Sequence, residues 1–337
     1  MVDFTTRYCG LTLKNPLVPS SGPLTGNLDD ARRLEDAGAA ALILPSLFEE
    51  ELIHEQEHLH RFMDMQDIGH HEADSFLPTV HPCASRLDRM LETIVRYKQS
   101  LSIPVVASLN GVTDSGWIEH AQDLQAAGCD AIELNLFGVE PGVETRSEMI
   151  EERYLTLVSH LAGSVQIPCV AKLSNQFSGV VSFVSRLEQA GAAGVSVFNR
   201  FYQPDIDLET LQIRPQLSLS SVQETLLRIR WIAMIRPHVG LTLSATGGFH
   251  GFQDVMKALL AGADVVNLCS VLLKAGPEVI GTILEDMGCW MTEKEYTSVQ
   301  QLQGSLSYRN AANPEGYERA NYMDVLDSYT SSPGVRV

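Results

Sequence analysis

Ala261-Gly262-Ala263-Asp264-Val265-Val266-Asn267-Leu268-Cys269-Ser270 ends an amphipathic segment, turns on a glycine and enters a short apolar run that stops at small polar residues. The phrase recurs as Ala37-Gly38-Ala39, Ala127-Gly128-Cys129 and Ala190-Gly191-Ala192, each just ahead of another apolar run. Glycine there supplies the left-handed cap that ends a helix. Two more runs are introduced by Ile103-Pro104-Val105-Val106-Ala107 and Ile167-Pro168-Cys169-Val170-Ala171, where proline stops one segment before the chain extends. A repeat of this kind belongs to a barrel rather than a solenoid.

Outward from that phrase, apolar runs ending in small or polar residues stand at Leu17–Ser21, Ala41–Ser46, Val105–Asn110, Ala131–Leu136, Cys169–Ser174, Gly194–Asn199, Leu241–Thr246 and Val265–Ser270. Eight such runs suit eight parallel strands buried on both faces. Between them lie amphipathic segments such as Asn27–Ala37, Ile118–Ala127, Val181–Ala190 and Phe252–Ala261, which imply right-handed crossovers. The predicted fold is α/β, a (β/α)8 TIM barrel in one domain spanning 1–337, with insertions after strands 2 and 6. Residues 47–82 and 200–219 form those insertions, and both follow strand C-terminal ends, the active-site face of a barrel. Residues 291–337 read as an extension packed on the barrel or on a partner subunit, opening with a helix over Glu293–Leu302. A doubly wound open sheet shares the alternation, but no GxGxxG follows the first strand.

The chain has 337 residues, 45% of them hydrophobic, and a formal charge of −18. A field of that sign repels phosphate backbones and anionic lipid, which argues against nucleic-acid and membrane partners. Six dispersed cysteines with no CxxC pair read as reduced thiols of a cytoplasmic protein. No signal pattern opens the sequence, and no apolar stretch approaches the roughly 20 residues that span a bilayer.

The last residues of the strands converge on one polar ring: Ser20, Ser21 and Gly22; Ser108 and Asn110; Asn135; Lys172; Asn199; Thr246, Gly247 and Gly248; Cys269 and Ser270. Such a ring suits a planar polar cofactor, and a Gly-Gly pair lets backbone N–H groups approach a phosphate. Lys172 stands in the otherwise apolar run Val170-Ala171-Lys172-Leu173, and an interior lysine needs an anionic partner to stay charged. A reduced flavin supplies one, since negative charge develops near N1 when N5 accepts hydride. The bland alternative is a lysine snorkelling to solvent at a strand end. Asn135 and Asn199 each offer two donors and an acceptor to a flavin edge or a ring-shaped amide, although asparagines at strand ends also serve simply as turn-formers.

The sequence resembles the dihydroorotate dehydrogenase family in Asn15-Pro16-Leu17 with Pro19-Ser20-Ser21-Gly22, Ala131-Ile132-Glu133-Leu134-Asn135, Ala171-Lys172-Leu173-Ser174, Val197-Phe198-Asn199, Thr246-Gly247-Gly248-Phe249 and Ala261–Val266. The resemblance implies an FMN-binding barrel, cytoplasmic and often homodimeric, that oxidises dihydroorotate to orotate in pyrimidine biosynthesis while a second substrate, here unidentified, reoxidises the flavin. It implies Ser20, Ser21 and Gly22 beside the isoalloxazine, Asn135, Lys172 and Asn199 on flavin or substrate, and Gly247, Gly248, Cys269 and Ser270 on the phosphate. Asn110 and Thr246 complete the expected cofactor shell, with Lys172, Asn135 and Asn199 as the catalytic set and no metal.

Two departures stand out. The family's segment after the strand-four asparagine provides a base and a substrate-binding asparagine, whereas this chain continues Phe137-Gly138-Val139-Glu140. Gly138 cannot take a proton, and loss of a general base typically costs a factor of 10² to 10⁴ in rate. Glu140 would repel a substrate carboxylate. Pro45 takes the place of a flavin-contacting lysine expected at the end of strand two. A substrate other than dihydroorotate is therefore at least as compatible with these residues as dihydroorotate itself, and a replacement base is sought among His54, His58, His60, His70, His71, Tyr202 and Asp205.

Two other functions compete. His54-Glu55-Gln56-Glu57-His58 matches HExxH, a zinc metallohydrolase motif, but its surroundings are polar on most sides and a solvated helix explains it as well. A non-catalytic barrel is the third reading, opposed by retention of Lys172 and the Gly247-Gly248 turn.

Overall fold

The computed structural model describes residues 2–55, 85–111, 117–200, 202–319 and 321–328. Twelve strands are described: β1 Thr6–Tyr8, β2 Leu11–Leu13, β3 Leu17–Pro19, β4 Leu42–Phe48, β5 Val105–Asn110, β6 Ala131–Leu136, β7 Cys169–Leu173, β8 Gly194–Val197, β9 Pro204–Asp207, β10 Gln212–Pro215, β11 Thr242–Thr246 and β12 Val265–Leu268. Eight form one parallel sheet in the order β3-β12-β11-β8-β7-β6-β5-β4. Its two ends meet where Ala40 N–H donates to Leu17 O at 3.0 Å, rounding the sheet into a (β/α)8 barrel. All eight predicted runs are strands of this sheet.

The crossover helices follow from the periodicity and the caps. Leu28–Asp36 starts at Asn27, whose side chain accepts from Asp30 N–H, and Arg86–Ser100 starts at a Ser85–Asp88 capping box. The four repeated glycines, Gly38, Gly128, Gly191 and Gly262, all take positive φ between 98° and 122°. Side-chain-bearing residues resist that conformation, so the repeat phrase is a set of helix stops. Helices Val180–Gln189 and Phe252–Ala261 bury Phe183 and Leu187, and Val255 and Leu259, against the strands.

The hairpin of β1 and β2, which the sequence reading omits, closes the barrel floor. Its Tyr8 and Leu13 are buried against Val18, Ile43, Val106, Val170 and Val265, the inward side chains of five strands. The insertion after strand six carries the antiparallel hairpin β9–β10. That after strand two opens as a helix over 49–55, and 56–84 lie outside the described residues. The expected helix Glu293–Leu302 is corrected: Val279–Glu293 ends there, Glu295 takes φ 61°, and a separate helix, Val299–Leu302, restarts on the Ser298 cap. Among the described residues, no helix is long and apolar enough to cross a membrane.

Candidate active site

Alternation along β6 puts Glu133 and Asn135 on one face of the strand, two residues apart. Register sets Asn135 opposite Lys172, and Lys172 opposite Ser196. Lys172 Nζ donates to Glu133 Oε1 at 3.0 Å, while Ser196 Oγ donates to Glu133 Oε2 at 3.0 Å. Glu133 is wholly buried and Lys172 is 6% exposed. The snorkelling reading of Lys172 is thereby corrected, and so is its need for a flavin as sole counter-charge, because the protein carries its own anion. Taking either ion out of water costs several kcal/mol, so each depends on the other.

Asn135 is held inside the barrel rather than at its mouth. Its Nδ2 donates to Ser108 Oγ at 3.1 Å, Leu109 O at 3.0 Å and Ser46 Oγ at 3.3 Å, and its Oδ1 accepts from Asn199 Nδ2 at 3.3 Å. Ser46 and Ser108 share a 2.8 Å hydrogen bond, and Ser21 lies 3.4 Å from Ser46. Ser46 reaches this network through an irregularity in β4. Ile43 pairs with Val106 but Ser46 pairs with Ser108, so one extra residue is spliced in and Pro45 faces outward. The interior position that a lysine was expected to fill is therefore Ser46, not Pro45.

Ser20, Ser21, Gly22, Lys172, Asn199, Thr246, Gly247, Gly248, Cys269 and Ser270 all line one cavity of about 270 Å³ at the strand C-terminal ends. Asn267, which stands before the last residue of its strand, lines it as well, and among the described residues neither its Nδ2 nor its Oδ1 finds a partner although the residue is 2% exposed. An orphaned buried amide beside a buried ammonium fits the edge of a planar ring with both acceptors and donors. At the other end, Gly247 and Gly248 have φ of 96° and 91°, and a Cβ on Gly248 would lie 2.6 Å from Ser221 O. Gly248 N–H donates to Ser220 Oγ at 3.2 Å, and Ser220 Oγ donates to Ser270 Oγ at 2.7 Å. Arg228 Nε braces the turn through Thr246 O at 3.1 Å. The turn brings backbone close to the cavity beside the Ser220 and Ser270 hydroxyls, a set whose chemistry suits a phosphate and, with the amide end, suits FMN. Burial pushes the Cys269 thiol up, against the opposing pull of Lys172.

Asn110 falls outside that cavity, on a second depression of about 620 Å³ with Phe48, Glu50, Glu51, Gly138 and Glu140. Glu140 is ion-paired to Arg153, which offsets the repulsion foreseen for a substrate carboxylate. Of the candidate bases, Tyr202 lines the cavity and Asp205 stands on the exposed strand β9. His54 lies on the helix from residue 49, whereas His58, His60, His70 and His71 lie outside the described residues. HExxH thus straddles that edge, and among the described residues no three His, Cys, Asp or Glu side chains group as metal ligands.

A family model described as Dihydroorotate dehydrogenase matches residues 82–291. The chain is 25% identical over 316 residues to a Thermoplasma acidophilum protein named dihydroorotate dehydrogenase B (NAD(+)), catalytic subunit, covering 90% of this chain and 99% of the relative. It is 27% identical over 290 residues to a Lactobacillus delbrueckii subsp. bulgaricus protein named dihydroorotate dehydrogenase A (fumarate), covering 80% and 88%. A Geobacillus kaustophilus protein bearing the first of these names is 25% identical over 295 residues, covering 82% and 87%. Nothing in these matches favours a zinc hydrolase. With a barrel whose cavity fits a flavin and a family match over more than half its length, the chain belongs to the dihydroorotate dehydrogenase family of FMN-dependent oxidoreductases acting on CH–CH groups.

Proposed function

We propose that this enzyme exchanges hydride with the CH–CH bond of a substrate other than dihydroorotate. The observation that carries the reading is the segment after β6, where Gly138 offers no side chain as base. When bound, FMN would supply the hydride acceptor and the link to a second, electron-accepting substrate. Lys172 places positive charge where the reduced cofactor gathers negative charge, and Asn199, braced by Asn135, orients the substrate ring. Ser20, Ser21 and Gly22 flank the ring, with Asn110 toward the substrate side, and Thr246, Gly247, Gly248, Cys269 and Ser270 hold the phosphate end. The relatives' names give different electron acceptors, NAD(+) and fumarate, so neither is transferred to this chain.

In this reading residues 1–337 act as one cytoplasmic domain that pairs as a homodimer. Support for pairing comes from the β9–β10 hairpin, which exposes Ile206, Leu208, Leu211 and Ile213. Exposed apolar patches of this kind mark interaction surfaces. Anaerobic stopped-flow mixing of the FMN-loaded enzyme with dihydroorotate tests the substrate. Little or no bleaching of the flavin band on the catalytic timescale is expected, and rapid bleaching would identify a true dihydroorotate dehydrogenase.

A further inference from the structure

Glu133 is the deepest charged group in the barrel, fully buried in the middle of β6. Both of its oxygens are occupied, one by Lys172 Nζ and the other by Ser196 Oγ, each at 3.0 Å. Among the described residues this is the one hydrogen bond that Lys172 makes, and it leaves two of the ammonium's three donors for the cavity the side chain lines. An ammonium so buried, deprived of its carboxylate, sheds its proton, because burial disfavours the charged form.

We infer that Glu133 is a positioning residue that keeps Lys172 protonated before the cofactor is reduced, so that two-electron reduction takes up one proton and not two. The inference rests on the reading that Lys172 faces the flavin. With Glu133 in place, two electrons and one proton enter the flavin ring while Lys172 keeps the charge it already had. With a neutral amide at 133, Lys172 is uncharged beside the oxidised, neutral ring. Negative charge arriving on the ring then draws a second proton from solvent onto Nζ.

Among the described residues, Tyr8, Cys9 and Cys269 are titratable groups that couple to this pair. Tyr8 lies below it from β1, its hydroxyl pushed well above the usual range by burial and, less, by neighbouring acids including Glu133. Cys9 is raised to about 12, chiefly by burial, and the buried Cys269 thiol on the Lys172 side is raised as well. Tyr8 and Cys9 therefore keep their charge between pH 7 and 8.5, and burial pushes Cys269 in the same direction.

The test is spectroelectrochemical titration of the FMN-loaded enzyme with dithionite across pH 7 to 8.5. Each proton taken up in a two-electron couple moves the midpoint potential by about 30 mV per tenfold change in proton concentration. Wild type is expected to show about 30 mV per pH unit and Glu133→Gln about 60 mV. Glu133→Asp and Ser196→Ala, which retain the carboxylate, stay with wild type, and Glu133→Gln/Lys172→Met returns to about 30 mV because the second proton has lost its acceptor. A Glu133→Gln slope equal to wild type overturns the inference, as does a double variant that keeps the steep slope. A wild-type slope of about 60 mV overturns it with no variant needed. If single and double variants share one potential at every pH, it is the placement of Lys172 beside the flavin that fails.

Discussion

Replacing Gly248 by alanine should dislodge the phosphate end of the cofactor. Its backbone sits at φ 91°, and a Cβ there would meet Ser221 O at 2.6 Å, Thr225 Cγ2 at 3.1 Å and Thr225 N at 3.2 Å. Two of those atoms are backbone, so relief requires moving the 220–225 segment. Left-handed conformation alone costs a side-chain-bearing residue about 1–2 kcal/mol. Displacing Ser220 also weakens its hydrogen bonds with Gly248 N–H and with Ser270 Oγ, each worth about 1 kcal/mol. With those bonds weakened and not lost, a total of about 2–3 kcal/mol lowers FMN affinity by about 30- to 150-fold if borne by the bound form. The assay is flavin retained per protein after gel filtration, together with an FMN binding titration. Gly163→Ala is the control, because nothing lies within 4 Å of its Cβ on helix Ser147–Ser164 and a helical glycine is about 0.5–1 kcal/mol worse than alanine. If Gly248→Ala binds FMN as tightly as Gly163→Ala, the phosphate end is misassigned.

Lys172→Met strands the buried Glu133 carboxylate and should destabilise the fold by about 3–5 kcal/mol, weaken flavin retention and slow flavin reduction; urea unfolding and stopped-flow reduction check this, and unchanged values contradict it. Asn267→Leu removes two orphaned buried atoms, so the apoprotein should be as stable as wild type or more so while FMN affinity falls about tenfold, a split read by apoprotein Tm against FMN Kd. Burial raises the thiols of Cys9, Cys129 and Cys169 from 9.0 to about 12. The folded state binds those protons more tightly than the unfolded chain, so the stability is intact below pH 9 and is lost as pH rises from 9 to 12, by about 1.4 kcal/mol per unit per thiol. Alkylation at pH 8 with mass mapping should modify exposed Cys289 and spare Cys129 and Cys169 until urea is added; equal rates would refute their burial.

The strands and their polar ends were legible because two-sided burial writes continuous apolar runs, and ten of the twelve expected cofactor residues line one cavity. Asn135 and Asn110 stand apart for different reasons. Asn135 spends its amide on Ser46, Ser108 and Leu109, and Asn110 looks into the second depression. The irregularity at Pro45 shifts the alternation by one, which residue spacing alone cannot reveal. Glu133 carries a readable signal, a charge inside an apolar run two residues before Asn135, and Asn267 a weaker one, a neutral amide inside an apolar run two residues before Cys269. Neither stands at the last residue of its strand, the position from which the polar ring is read. Ser220 and Arg228 have no comparable mark, since their roles arise from how the chain just after the second insertion and the helix Thr225–Ile235 pack on the Gly247-Gly248 turn.

The most direct test of a flavin held over the barrel mouth is the absorption spectrum of the purified full-length protein after incubation with FMN and gel filtration. One FMN per chain, with the ring bands displaced from those of free FMN, is the predicted outcome. A protein that emerges colourless, before and after reconstitution, contradicts it.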